Sequence, residues 1–306
     1  MRKRIFLTTL VAIFLMAGAY AGAKYADLAG QWYPASSVEL RSELEGYFED
    51  AHVGKIEGDI IGVVAPHAGT RASGAVAAYA YKALMDRKPD KVIVVGFTHG
   101  MMGELANRIS VLTDETFVTP LGRAPIDMDI TNKLLSYSEN IQSIPKAFYG
   151  ENSVEMEVPF IQYALKDARL VLIALCDVKQ QNCRLLAEAL YNVLREEKNF
   201  VIVASTDMSH KLPYDAANAV DAGTIEVIKS FDPEKFYRKS LEDKQSDRMC
   251  GFGAVYTVME VCKKLGADEV KILKYANSGD TIGGKYSVVG YLSAAFVKTS
   301  KQGQGE

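Results

Sequence analysis

Two rhythms of hydrophobic and polar positions alternate along the chain. Short unbroken apolar runs stand at residues 60–65 (IIGVVA), 91–96 (KVIVVG), 169–175 (RLVLIAL) and 200–204 (FVIVA). Runs this rich in Ile and Val, without polar alternation, read as strands buried on both faces, as in a parallel sheet covered by helices. Between them the apolar residues recur with helical spacing. Leu40, Leu44 and Phe48 predict a helix over 37–50 capped by Ser36 or Ser37. Further helices are expected over 73–85, 126–137, 153–165 (starting at Asn152 or Ser153), 180–197, 215–231, 233–241 and 251–265. Residues 108–112 make a further strand, and 269–275 with 286–297 a closing pair around a turn-rich loop at 277–280. The strand–helix–strand order at 60–96 predicts a parallel pair joined by a right-handed crossover.

The chain has 306 residues, 48% hydrophobic and 24% charged, enough for a large α/β domain that buries roughly three quarters of its unfolded surface. No repeat, long linker or low-complexity block divides it, so one domain is expected over 24–306. A net charge of -3 and the absence of a basic stripe interleaved with aromatics argue against nucleic acid as a partner. The first residues have a different purpose. A basic stretch from Met1 to Arg4, an apolar core and Ala-rich cleavage candidates after Ala21 or Ala23 make 1–23 a signal peptide. The protein is therefore expected outside the cytoplasm, periplasmic or extracellular, with no stable membrane insertion after cleavage; if uncleaved, the segment approaches the ~20 residues of a membrane anchor.

Ionisable residues gather where the apolar runs stop. Of four histidines, His67, His99 and His210 directly follow expected strands, which is the edge where open α/β sheets place ligands. His52 lies in a polar turn and reads as a surface residue. Neutral imidazole is the commonest metal donor, with thiolate and carboxylate as partners, and Asp207 and Cys250 stand at the same edge. No HExxH, HxH or CxxC spacing is present. A hydrolytic set could be drawn from Ser205, Ser209, Asp207 and His210, but it lacks the G-x-S-x-G elbow and crowds onto one loop. Cys176 and Cys183 could bridge or remain reduced core thiols.

Several motifs occur together in order: AGQWYP (29–34), APHAG (65–69), GFTHG (96–100), TPLG (119–122), ENSVEMEVPF (151–160), STDMSH (205–210) and CGFGAV (250–255). In this the chain resembles the Memo family, whose bacterial and archaeal members are called AmmeMemoRadiSam system protein B. The resemblance spans nearly the whole mature chain. It implies a three-layer α/β/α sandwich around a mostly parallel sheet, similar to class III extradiol dioxygenases. It also implies a metal site of His67, His99 and Cys250, holding iron or copper, with Asp207 and His210 lining the same pocket as candidate catalytic groups. Zinc also suits these donors. A thiolate in place of the carboxylate of an extradiol facial triad is softer and more easily oxidised, which argues against catechol cleavage.

Two departures stand out: Asn152 where relatives usually carry histidine, so that no acid–base group is present there, and Thr70 to Ala72 where relatives commonly carry aromatic residues. Glu155 could orient a histidine or simply answer the helix dipole in a first turn. Met101, Met102 and Met208 near the site are expected to be packing residues. Two functional classes follow: a metal-dependent oxidoreductase, and a metal-binding or partner-binding protein outside the cytoplasm that performs no turnover. The small molecule or protein partner is not named by the sequence.

Overall fold

A computed structural model describes residues 22–100 and 105–299. The expected leader therefore lies outside the described residues, as do Met101 and Met102. Among the described residues no helix is long and apolar enough to cross a membrane.

In chain order the elements are β1 (Ala23–Tyr25), α1 (Ser37–Asp50), β2 (Asp59–Ala65), α2 (Thr70–Lys82), β3 (Lys91–Phe97), β4 (Ile109–Val111), β5 (Thr116–Thr119) and β6 (Gly122–Pro125). They continue as α3 (Met128–Leu135), β7 (Ile141–Gln142), α4 (Asn152–Glu155), α5 (Glu157–Ala164), β8 (Arg169–Leu175), α6 (Gln180–Leu194), β9 (Phe200–Ser205) and β10 (His210–Leu212). The remainder is α7 (Tyr214–Lys229), α8 (Pro233–Glu242), α9 (Phe252–Lys264), β11 (Glu269–Asn277), α10 (Ser278–Thr281) and β12 (Val288–Lys298).

A nine-stranded sheet forms the middle layer in the order β10-β12-β2-β9-β3-β8-β4-β7, with β11 pairing β12. Its central strands β2, β9, β3 and β8 are mutually parallel, and the flanking strands β12 and β4 run against them. Successive side chains of a strand point to opposite faces, so an all-apolar strand must feed two cores. Ile93, Val95, Val171, Ile173 and Ile202 belong to one cluster, with Leu186 and Leu190 of α6 and Tyr256 and Val258 of α9. Val92, Val94, Leu170, Leu172 and Val203 belong to the other, with Leu40 and Leu44 of α1, Ala77 and Tyr81 of α2 and Phe160 of α5. The three-layer α/β/α sandwich expected above is thus what the chain forms.

Four local differences have physical causes. First, β2 and β3 are parallel but not adjacent, because β9 lies between them and pairs with both. Second, α2 starts at Thr70, earlier than its apolar periodicity suggests, because Gly69 begins the turn and the Ser73 hydroxyl donates back to the Ala68 carbonyl at 2.9 Å. Third, the helix expected over 153–165 is two segments, α4 and α5. Pro159 lacks the N–H that would bond the Glu155 carbonyl, which breaks the ladder at their junction. Fourth, the residues 277–280 expected as a loop contain a helical turn closed by a reciprocal cap between Asn277 and Asp280.

Candidate metal centre

The parallel strands β2, β3 and β9 all end at the same edge, and the chemistry sits on the residues that follow them. His67, two residues past β2, is 1% exposed. Its backbone N–H donates to Asp207 Oδ1 at 2.9 Å, its Nδ1 pairs with Ser205 Oγ at 2.8 Å, and its Nε2 lies 3.2 Å from Cys250 Sγ. His99, two residues past β3, has its backbone N–H and its Nδ1 both held by Glu151, at 2.8 Å each. The two imidazoles meet edge to face with centroids 5.5 Å apart. Cys250 stands just before Gly251, the N-cap of α9, and accepts the Asp207 backbone N–H at 3.2 Å. One donor atom from each of His67, His99 and Cys250 lies within 4.8 Å of the other two.

These residues fit a metal ion on chemical grounds. A ligating histidine ordinarily gives its second ring nitrogen to a hydrogen-bond partner, which fixes the ring and leaves the first free. Both histidines have Nδ1 occupied in this way, His67 by Ser205 and His99 by Glu151. Burial, then the neighbouring His99 and His210, pushes the His67 pKa well down and keeps the ring neutral, the form that ligates. Burial and the charge of Asp207 push the Cys250 thiol up, so thiolate formation there calls for a cation.

Asp207, 5% exposed, is raised to about 7 by burial, opposed by the backbone N–H groups of His67 and Ala68. His210 is lowered by burial, and His99 and Lys211 act the same way against a hydrogen bond to the Met208 backbone. It faces a cleft of about 640 Å³ lined by His99, Cys250, Phe97, Val178, Lys211 and Arg248 among others. Asp207, expected to line the same pocket, is not among the lining residues; its backbone N–H and Oδ1 are instead engaged by Cys250 and the His67 backbone. Ser205 pairs with His67, and the Ser209 backbone N–H goes to Asp221 at 3.0 Å, so the hydrolytic set is not assembled. His52 is exposed, and Cys176 and Cys183 are separate free thiols.

Along the chain, residues 24–295 match the family described as Memo-like protein. The chain belongs to the Memo family. A MEMO1 family protein of Caldivirga maquilingensis is 34% identical over 280 residues, covering 89% of this chain and 98% of that one. A second, from Methanopyrus kandleri, is 34% identical over 282 residues, 88% and 97% of the two chains. An uncharacterised Escherichia coli K12 protein of known crystal structure shares the fold, with TM-score 0.51 and 14% identity, over 78% of this chain and all of that one.

Within this Memo chain, Glu155 and Asn152 have roles other than those expected from the sequence. Glu155 orients no histidine and is more than a dipole partner: it takes the backbone N–H groups of Asp27 and Leu28 and the Tyr33 hydroxyl, at 2.8–2.9 Å, tying the AGQWYP segment to the core. The carboxylate that holds a histidine is Glu151, four residues earlier. Its signal was available, because an acid two residues before Ser153 can cap that residue's N–H, as Glu151 does at 2.8 Å. Asn152 replaces an acid–base group with an anchor: its Nδ2 donates to the His67 carbonyl at 3.3 Å.

Proposed function

We propose that this Memo protein binds one transition-metal ion, iron or copper, through His67, His99 and Cys250 and performs redox chemistry on a ligand in the adjoining cleft. The observation that carries this reading is the pair of tethered Nδ1 atoms, with His67 Nε2 3.2 Å from the Cys250 sulfur and a donor atom of each of the three residues within 4.8 Å of the others. A redox-active ion held there would supply electron transfer and Lewis acidity. Zinc is accommodated by the same donors, without redox.

The chain's own residues do the rest. Glu151 and Ser205 orient the rings. Asp207, with a carboxyl raised to about 7, is suited to hold or release a proton near neutrality, and His210 is the base that faces the cleft. The buried His67 and half-exposed His99, whose side chain is 41% accessible, set a closed side and an open side, so a ligand approaches from His99. The signal-like segment expected over 1–23 supports an exported protein.

Elemental analysis of freshly purified protein, beside its Cys250→Ser variant, tests the site. At least one tightly held transition metal per chain is expected, with clear loss in the variant; equal content in both would remove the sulfur from the centre. Oxygen uptake over a panel of phenolic compounds then separates turnover from binding alone.

A further inference from the structure

Among the described residues, those lining the cleft beside the metal centre include Lys211 and Arg248 but no aspartate or glutamate. Phe97, Val178, Met249 and Phe252 give the same cleft an apolar wall. We infer that the cleft takes an anionic small molecule, a carboxylate carried on a flat apolar body, with its charge held by Lys211 and Arg248 and its body against Phe252 and Phe97.

The cations are arranged for a ligand. The Arg248 guanidinium lies over the Phe252 ring at 5.1 Å and gives Nη1 to the Ser240 carbonyl at 3.2 Å. A guanidinium has five N–H donors, so a plane fixed by one bond and one ring leaves an edge for a carboxylate, which matches its fork. Among the described residues neither Arg248 nor Lys211 forms an ion pair with a carboxylate, and Arg248 instead meets a carbonyl and a ring. Lys211 sits in the left-handed backbone region at φ 61°, where the pairing of β10 with β12 shifts register between His210 and Leu212. A lysine in that conformation carries backbone strain, and such strain collects at ligand sites. Thr98, 3% exposed and part of the same lining, has a hydroxyl without a partner among the described residues. Both features suit a ligand with an acceptor group. The cleft volume of about 640 Å³ accommodates a molecule of two fused rings.

This inference rests on the proposed reading of the cleft as the ligand side of the metal centre, so its test is run without metal. Chelator-stripped full-length protein is titrated with 1-naphthoate, its neutral amide 1-naphthamide and the cation 1-naphthylmethylammonium, followed by calorimetry or ligand fluorescence. The carboxylate is expected to bind about tenfold more tightly than the amide, and the cation least. Lys211→Gln and Arg248→Gln should each lower naphthoate affinity by roughly threefold to tenfold, and the double variant should erase the preference over the amide. Unchanged thermal transitions in these variants confirm that the fold is kept. Equal affinity for carboxylate and amide, tighter binding of the cation, a preference that survives in the double variant, or no naphthoate binding in the millimolar range would each overturn the inference. Metal content, measured separately, decides the function reading whichever way the naphthoate result falls.

Discussion

His99 and His67 are fixed by different chemistry, a carboxylate for one and a hydroxyl for the other, and the difference can be measured. Replacing Glu151 with Gln keeps the side-chain shape but removes the charge that draws the Nδ1 proton, so zinc affinity by calorimetric titration should fall roughly 10–100-fold with the fold intact. His67→Ala removes a donor outright and should lose more. That these histidines share an edge was legible in the sequence because imidazoles are rare in this chain and three of four stand after apolar runs. Their orienting partners were less legible. Ser205 was visible as a strand-end hydroxyl but not as the partner of a residue 138 positions away, and Glu151 was visible as a helix cap but not as the partner of His99. Sequence spacing reports which residues share an edge and says little about which side chains meet there.

At the scale of elements, the strand ends and the helix that presents Cys250 are packed with almost no clearance. A Cβ on Gly251 would stand 2.3 Å from the Ser205 carbonyl oxygen and 2.8 Å from Thr206 Cβ. Gly251→Ala must therefore push α9 away from β9, at a cost of roughly 1–3 kcal/mol by urea denaturation, and carry the neighbouring sulfur away from His67. Reduced metal content should accompany that loss of stability. Gly96 at the end of β3 is held as closely, since an added Cβ would lie 2.6 Å from Ser153 Oγ. The strands β2, β3, β8 and β9 could be read from apolar runs because a strand buried on both faces has no competing pattern. The small sheet of β1, β5 and β6 could not: β1 and β5 are short and far apart in sequence, and only the tight turn from Thr119 to Gly122 announced the hairpin. The helix break before Glu157 was foreshadowed by Pro159.

For the molecule as a whole, Glu157 links the core to the pH of the medium. It is fully buried, accepts the Tyr81 hydroxyl at 2.5 Å, and burial raises its pKa from 4.5 to about 8 against the hydrogen bonds of Tyr81 and Ser205. The folded state keeps this proton when the unfolded chain has lost it. Stability from Glu157 is therefore fully present below about pH 4.5 and is lost as pH rises to about 8. Glu157→Gln should flatten that decline, on the order of a few kcal/mol across the window, when the melting temperature of metal-free protein is followed against pH. An unchanged slope would mean that the carboxyl is already ionised inside the fold.

The three-layer architecture follows from four apolar strands that need cover on both sides, yet their order in the sheet was beyond reach of the sequence, because pairing is decided across the whole chain. The strand β12 shows why this matters. It alone covers the free edge of β2 while also pairing with β10 and β11. A nascent polypeptide that has not yet supplied β12 leaves the His67 strand exposed on one side, with Cys250 not yet docked against a finished sheet. The proposed ion would therefore find its donors together only after β12 has closed the sheet, late in the life of the protein.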